Sequence, residues 1–169
     1  MALRRLYLDT NVLVEAFEEP GSSSGRILAL AAGGHFLVVE SEYLVREVEE
    51  VFGRLFGPRV AAVTLDEMRR FPLHEIVNFE ASRDALEAVR EHTRDKADAP
   101  HFAAARTGLA EALVTWNRRS VLPTMFALVP ITTPEDILPA LEGASGWPST
   151  EVLRSRWERW AMSSPRSPR

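Results

Sequence analysis

An α/β domain built on a mostly parallel sheet is the fold that the sequence predicts, and three observations carry it. Five short apolar runs alternate with stretches of helical periodicity, the pattern of strands joined by crossover helices. Several helical stretches open on recognisable caps. The 169 residues are enough to bury roughly 70% of the unfolded surface in a single core.

Residues 3–8, with Leu3, Leu6, Tyr7 and Leu8, form the first strand candidate and end at Asp9. The apolar-periodic stretch 12–17 opens a helix after it. Ser22 to Ser24 precede a helix over 26–32, and residues 36–39 form a second strand. Ser41 stands before a helix over 42–56, where Leu44, Val48, Val51, Phe52 and Leu55 make one inward stripe at ~100° per residue. Thr64-x-x-Glu67 is a capping box and predicts a helix start. A strand over 73–77, helices over 80–92 and 98–108, and strands over 112–115 and 127–131 follow. Thr133-Pro134-Glu135-Asp136 places a cap, a first-turn proline and two acids ahead of a helix over 137–141.

From Gly143 the run Gly-Ala-Ser-Gly-Trp-Pro-Ser-Thr reads as a linker, and a short helix over 150–162 carries Trp157 and Trp160 beside Arg154, Arg156 and Arg159. These aromatics, with Trp147, have three surfaces to dock on: the domain itself, a second copy, or a partner. Residues 163–169 are Ser, Pro and Arg only and are expected to be disordered. The chain thus divides into a main domain over 1–142, a linker and tryptophan-containing helix over 143–162, and a tail.

Composition narrows the chemistry. No cysteine is present, which excludes disulfides, zinc-thiolate sites and thiol nucleophiles. No run of 18 apolar residues or signal-like start occurs, so the expected setting is cytoplasmic and away from membranes. A net charge of −4 argues against a simple basic nucleic-acid surface, although an acidic pocket flanked by local arginines fits the same total. Lys96 is the one lysine among twenty cations. That arginine bias reflects either bidentate phosphate contact or genome composition.

Three carboxylates, Asp9, Glu47 and Asp98, fall where such a fold can bring them to one point. Like charges that converge raise each other's pKa unless a cation is present, which makes the chain a candidate hard-metal enzyme. Asp9 follows the first strand, at the carboxyl end where open parallel sheets bind ligands. Its alternative role, shared with Thr10 and Asn11, is to cap the next helix. Glu47 lies roughly 80° from the centre of its helix's apolar stripe, at the core edge; the other reading is a solvated boundary residue. Asp98 shares its register with Phe102, Ala105 and Leu109, and either points inward or caps its helix ahead of Pro100. Asp95 is an extra acid for either role. After the strand 112–115, Thr115 and Asn117 begin a polar loop; Asn117 either orients water or ligates Mg²⁺ or Mn²⁺ weakly, or is a turn residue.

These residues resemble a PIN domain, over about residues 3–141. Leu8-Asp9-Thr10-Asn11-Val12-Leu13 resembles the family's opening strand with its first acid, and Ser41-Glu42-Tyr43-Leu44-Val45-Arg46-Glu47 the helix that supplies the second. Asp95-Lys96-Ala97-Asp98 through His101-Phe102-Ala103-Ala104-Ala105 resembles the Asp-led third motif, and Val114-Thr115-Trp116-Asn117 the fourth. The resemblance implies a three-layer sandwich with a central, mostly parallel sheet between helices. It also implies a metal-dependent endoribonuclease, such as the toxin of a toxin–antitoxin pair. Asp9, Glu47 and Asp98 would hold Mg²⁺ or Mn²⁺, Thr115 and Asn117 would orient water or phosphate, and Asn11, Arg118 and Arg119 would contact the substrate. RNA, a small antitoxin covering the acidic pocket with a basic side chain, and a second copy are the partners implied. Asn117 departs from the family's usual Asp, which puts a second metal in doubt and leaves open a PIN-like module that binds RNA or protein without turnover. An aspartyl phosphatase is disfavoured, because position 11 is Asn where that chemistry wants a second acid. The four histidines show no paired spacing, and His101 is expected on the helix flank.

Overall fold

The computed structural model describes residues 3–117 and 119–162; Arg118 and the tail 163–169, both subjects of expectations above, lie outside the described residues. Five strands, β1 (Arg5–Leu8), β2 (Leu37–Ser41), β3 (His74–Val77), β4 (Ala112–Val114) and β5 (Ile131–Thr132), pair in the order β3-β2-β1-β4-β5. Every pairing is parallel, with Tyr7 opposite Val39 and Leu113, and Leu8 opposite Val114. Central strands of such a sheet are buried on both faces and so read as continuous apolar runs; Leu6, Tyr7, Val39 and Leu113 are almost wholly inaccessible.

Eight helices flank the sheet among the described residues: α1 (Thr10–Glu18), α2 (Ser23–Ala32), α3 (Glu42–Phe56), α4 (Pro58–Arg69), α5 (Arg83–Arg90), α6 (Ala99–Thr107), α7 (Pro134–Leu141) and α8 (Thr150–Met162). Ser22, Ser41 and Thr133 each cap a helix through the side-chain oxygen, accepting from Gly25, Leu44 and Asp136 amides. The three-layer α/β arrangement is therefore the one the sequence predicts.

Several boundaries differ. The capping box at Thr64 starts nothing, because α4 begins six residues earlier: Gly57, at φ 92°, makes the sharp junction and Pro58 takes the first helical turn, where its missing amide costs nothing. The strand expected over 127–131 is displaced to Ile131–Thr132. Pro123–Ala127 instead winds into a 3₁₀ turn, buried through Met125 and Phe126, and the Val129 amide donates to the Met125 carbonyl. Of the stripe on α3, Leu44, Val48 and Phe52 are buried, whereas Leu55 is half exposed. Leu109 lies past the end of α6 with φ 53° and is 74% exposed, so it leaves the inward register proposed for Asp98.

The last helix docks on the main body. Leu153 and Trp157 are buried, the Trp157 ring lies 5.6 Å from Phe126, and Arg156 donates to the Asp136 carbonyl at 3.0 Å. Trp147 sits under the Arg4 guanidinium at 4.6 Å. No helix among the described residues is long and apolar enough to cross a membrane.

Candidate metal and nuclease site

Adjacent parallel strands deliver their following residues side by side. Because Leu8 pairs with Val114, Asp9 and Thr115 emerge together at the carboxyl ends of β1 and β4, the edge where open sheets bind ligands. Thr115 Oγ1 donates to Asp9 Oδ2 at 2.6 Å, and the Thr10 amide donates to Oδ1 at 2.8 Å. Asn11 Nδ2 donates to Asp9 Oδ2 at 2.9 Å and Asn11 Oδ1 accepts the Trp116 amide at 3.0 Å. Asn11, expected to touch substrate, thus spends its amide lacing the β1 turn to the β4 loop.

Glu47 reaches in from α3, where it takes bonds from Thr10 Oγ1 and lies 2.8 Å from His101 Nε2. Burial alone would raise its pKa, but His101 and Thr10 overcome that and hold it below the ordinary glutamate range. Asp98 occupies the N-cap position of α6 without capping it. Its Oδ2 accepts instead from Asn117 Nδ2 at 2.9 Å and from Ser120 Oγ. Burial raises the Asp98 pKa; Ser120 opposes the rise, and the negative charges of Asp9 and Asp95 add to it. Asn117 is therefore a donor to an acid, a task that an aspartate there would perform only when protonated. Asp95 is an exposed turn residue whose Oδ1 accepts the Ala97 amide.

His101 is the residue that sequence reasoning misplaced. It is 3% exposed rather than on a flank. Nδ1 lies 2.8 Å from Tyr7 Oη, which is 2.9 Å from Ser41 Oγ, while Nε2 faces Glu47 and Asp9 Oδ1, the latter at 3.8 Å. Burial would lower its pKa, yet the Glu47 contact and the charges of Asp9 and Asp98 raise it. The missed signal is the composition of α6: Ala99 and residues 101–105 are all buried, and a helix without a polar face has no flank in water.

Asp9, Glu47 and His101 each present one ligand atom within 4.8 Å of the others, a donor set able to share one divalent ion. Asp98 is not in that tight group but lines the same cleft, of about 1450 Å³, with Asn117 and Arg119. Arg54 and Arg94, not singled out from sequence, also line it, and Trp157 and Trp160 of α8 form part of its wall.

The family model for the PIN domain matches residues 5–119. The chain belongs to the PIN domain family. All the acids just described, His101 and Asn117 fall inside the matched span, while α7 and α8 lie beyond it. Among solved structures, the PIN domain resembles VapBC2 from Rickettsia felis bound to a DNA fragment from their promoter, at 21% identity over 76% of this chain and 98% of that one, with a TM-score of 0.52. It also resembles VapC20 of Mycobacterium tuberculosis, a sarcin–ricin loop cleaving toxin, at 20% identity over 64% of this chain and 86% of that one, with a TM-score of 0.47. The first likeness supports the fold. No curated protein matches the chain.

Proposed function

We propose that this PIN domain is a divalent-metal-dependent endoribonuclease, acting as the toxin of a toxin–antitoxin pair. The observation that carries the reading is the gathering of Asp9, Glu47 and Asp98 around one cleft at the carboxyl ends of β1 and β4, in a chain of this family. Asp9 and Glu47 hold Mg²⁺ or Mn²⁺ through hard oxygen donors. When bound, such an ion lowers the pKa of a water and offsets charge on the leaving oxygen. Thr115 fixes the Asp9 carboxylate, and Asn117 and Ser120 fix that of Asp98, which faces the incoming water or phosphate. Arg94, Arg119 and Arg118 are the cations proposed to grip the RNA backbone. A small antitoxin that lays a basic side chain among the acids is the partner proposed, with self-association of the domain a further arrangement to test.

The test is cleavage of RNA by purified protein with Mg²⁺ or Mn²⁺, with a chelator control. Asp9→Asn and Asp98→Asn, each checked for a retained melting transition, are expected to slow cleavage at least about 100-fold. Cleavage that survives both substitutions overturns the site. RNA binding without cleavage by the unaltered protein overturns the enzyme in favour of a binding module.

A further inference from the structure

We infer that His101 Nε2 is the third protein donor of the ion site, which makes it a mixed oxygen and nitrogen site that selects Mn²⁺ and later first-row ions over Mg²⁺. The inference rests on the reading above that Asp9 and Glu47 hold a metal.

Five features point to it. His101 is 3% exposed, and its Nε2 is a buried atom left without a geometrically formed hydrogen bond among the described residues; Glu47 Oε2, 2.8 Å away, is itself a candidate ligand of the same ion. A buried nitrogen in that condition is costly unless something else meets it. Its separations from Glu47 Oε2 and Asp9 Oδ1, 2.8 and 3.8 Å, fall close to the range of two ligands on one ion, about 3 Å when adjacent and about 4.2 Å when opposite for bonds near 2.1 Å.

The other ring nitrogen is arranged to favour this use. Tyr7 Oη can accept from Nδ1–H while donating to Ser41 Oγ, which also accepts the Leu44 amide. That pattern leaves the Nε2 lone pair toward the two carboxylates, and a metal-bound histidine is usually oriented by just such a partner on its second nitrogen. Edge contacts from the Tyr7 and Tyr43 rings, with centroids 5.7 and 4.8 Å away, fix the imidazole plane. Finally, Asp98, the acid expected from sequence to be the third ligand, stands outside the tight group formed by Asp9, Glu47 and His101.

Imidazole is a poor partner for Mg²⁺, which takes oxygen ligands and keeps its waters, whereas Mn²⁺ accepts both donor types. Titration of the full chain with Mn²⁺, followed by electron paramagnetic resonance, gives the affinity, and pulsed measurements report any nitrogen bound directly to manganese. The expected result is a ¹⁴N coupling of a ligated imidazole in the unaltered protein. It should vanish in His101→Gln, where the ratio of Mn²⁺ to Mg²⁺ affinity should fall at least about tenfold. Binding that requires Asp9 and Glu47 but shows no nitrogen coupling overturns the inference and leaves the metal site standing. An unchanged affinity ratio in His101→Gln does the same. Binding unaffected by Asp9→Asn and Glu47→Gln overturns the metal site itself. The spectrum of the unaltered protein decides the matter even where the variant fails to fold.

Discussion

Glu40 shows how one residue can carry a pH dependence remote from the acidic cleft. It is 1% exposed on β2, with Oε1 unmatched among the described residues, and burial pushes its pKa from 4.5 to about 7 against the opposing pull of His74 and Arg69. The folded chain therefore holds this proton more tightly than the unfolded one, so stability falls as pH rises from about 4.5 to about 7 and stays lowered above that. Glu40→Gln should gain on the unaltered protein by up to about 3 kcal/mol between pH 5 and pH 8, measured by urea unfolding at both. A difference that does not vary with pH would show that Glu40 is not buried as an acid. Glu40 followed the strand predicted over 36–39 and became part of it only in the structure, where β2 runs Leu37–Ser41; nothing in its neighbours distinguished it from a surface acid. Asp9 was legible because it ended a strand at the edge where ligands bind. Glu47 was legible from its angle to the stripe of Leu44, Val48 and Phe52. His101 was not read correctly: the apolar composition of α6 hinted at its burial, but the groups that cover it come from β1 and α3, which the sequence places more than forty residues away.

Elements were legible where their start was written locally. Ser41 and Thr133 cap helices that begin where the serine and threonine oxygens predict. Thr64 failed because Gly57 and Pro58 had already begun the helix, and 127–131 failed because an apolar run without period does not distinguish a strand from a buried turn. The close approach of elements was also illegible. Gly108, at the end of α6, would place a β-carbon 2.3 Å from Val39 Cγ1 and 3.2 Å from Val77 Cγ2, so the helix rests directly on β2 and β3. Gly108→Ala should cost about 1–3 kcal/mol by overpacking, read as a lower urea midpoint with an unchanged slope. An unshifted midpoint would mean that the helix end gives way freely.

For the molecule as a whole, a mostly parallel sheet followed from alternating strands and helices, but the strand order β3-β2-β1-β4-β5 did not. Of the three docking surfaces open to the last helix's tryptophans, the domain itself was the commonest fate of such aromatics. The structure seats Trp157 on Phe126 and brings Trp160 to 6.5 Å from Trp116. Trp157→Ala should destabilise the whole domain by about 3–5 kcal/mol, roughly 10 °C in Tm. A calorimetric scan showing loss of only a minor early transition would mean that α8 melts separately. The cleft wall supplied by Trp157 and Trp160 also has a consequence for how the groove is completed. Asp9 and Glu47 come from β1–α1 and α3, whereas that wall comes from Thr150–Met162, so the groove is whole only while α8 is seated on α7 and the Phe126 turn.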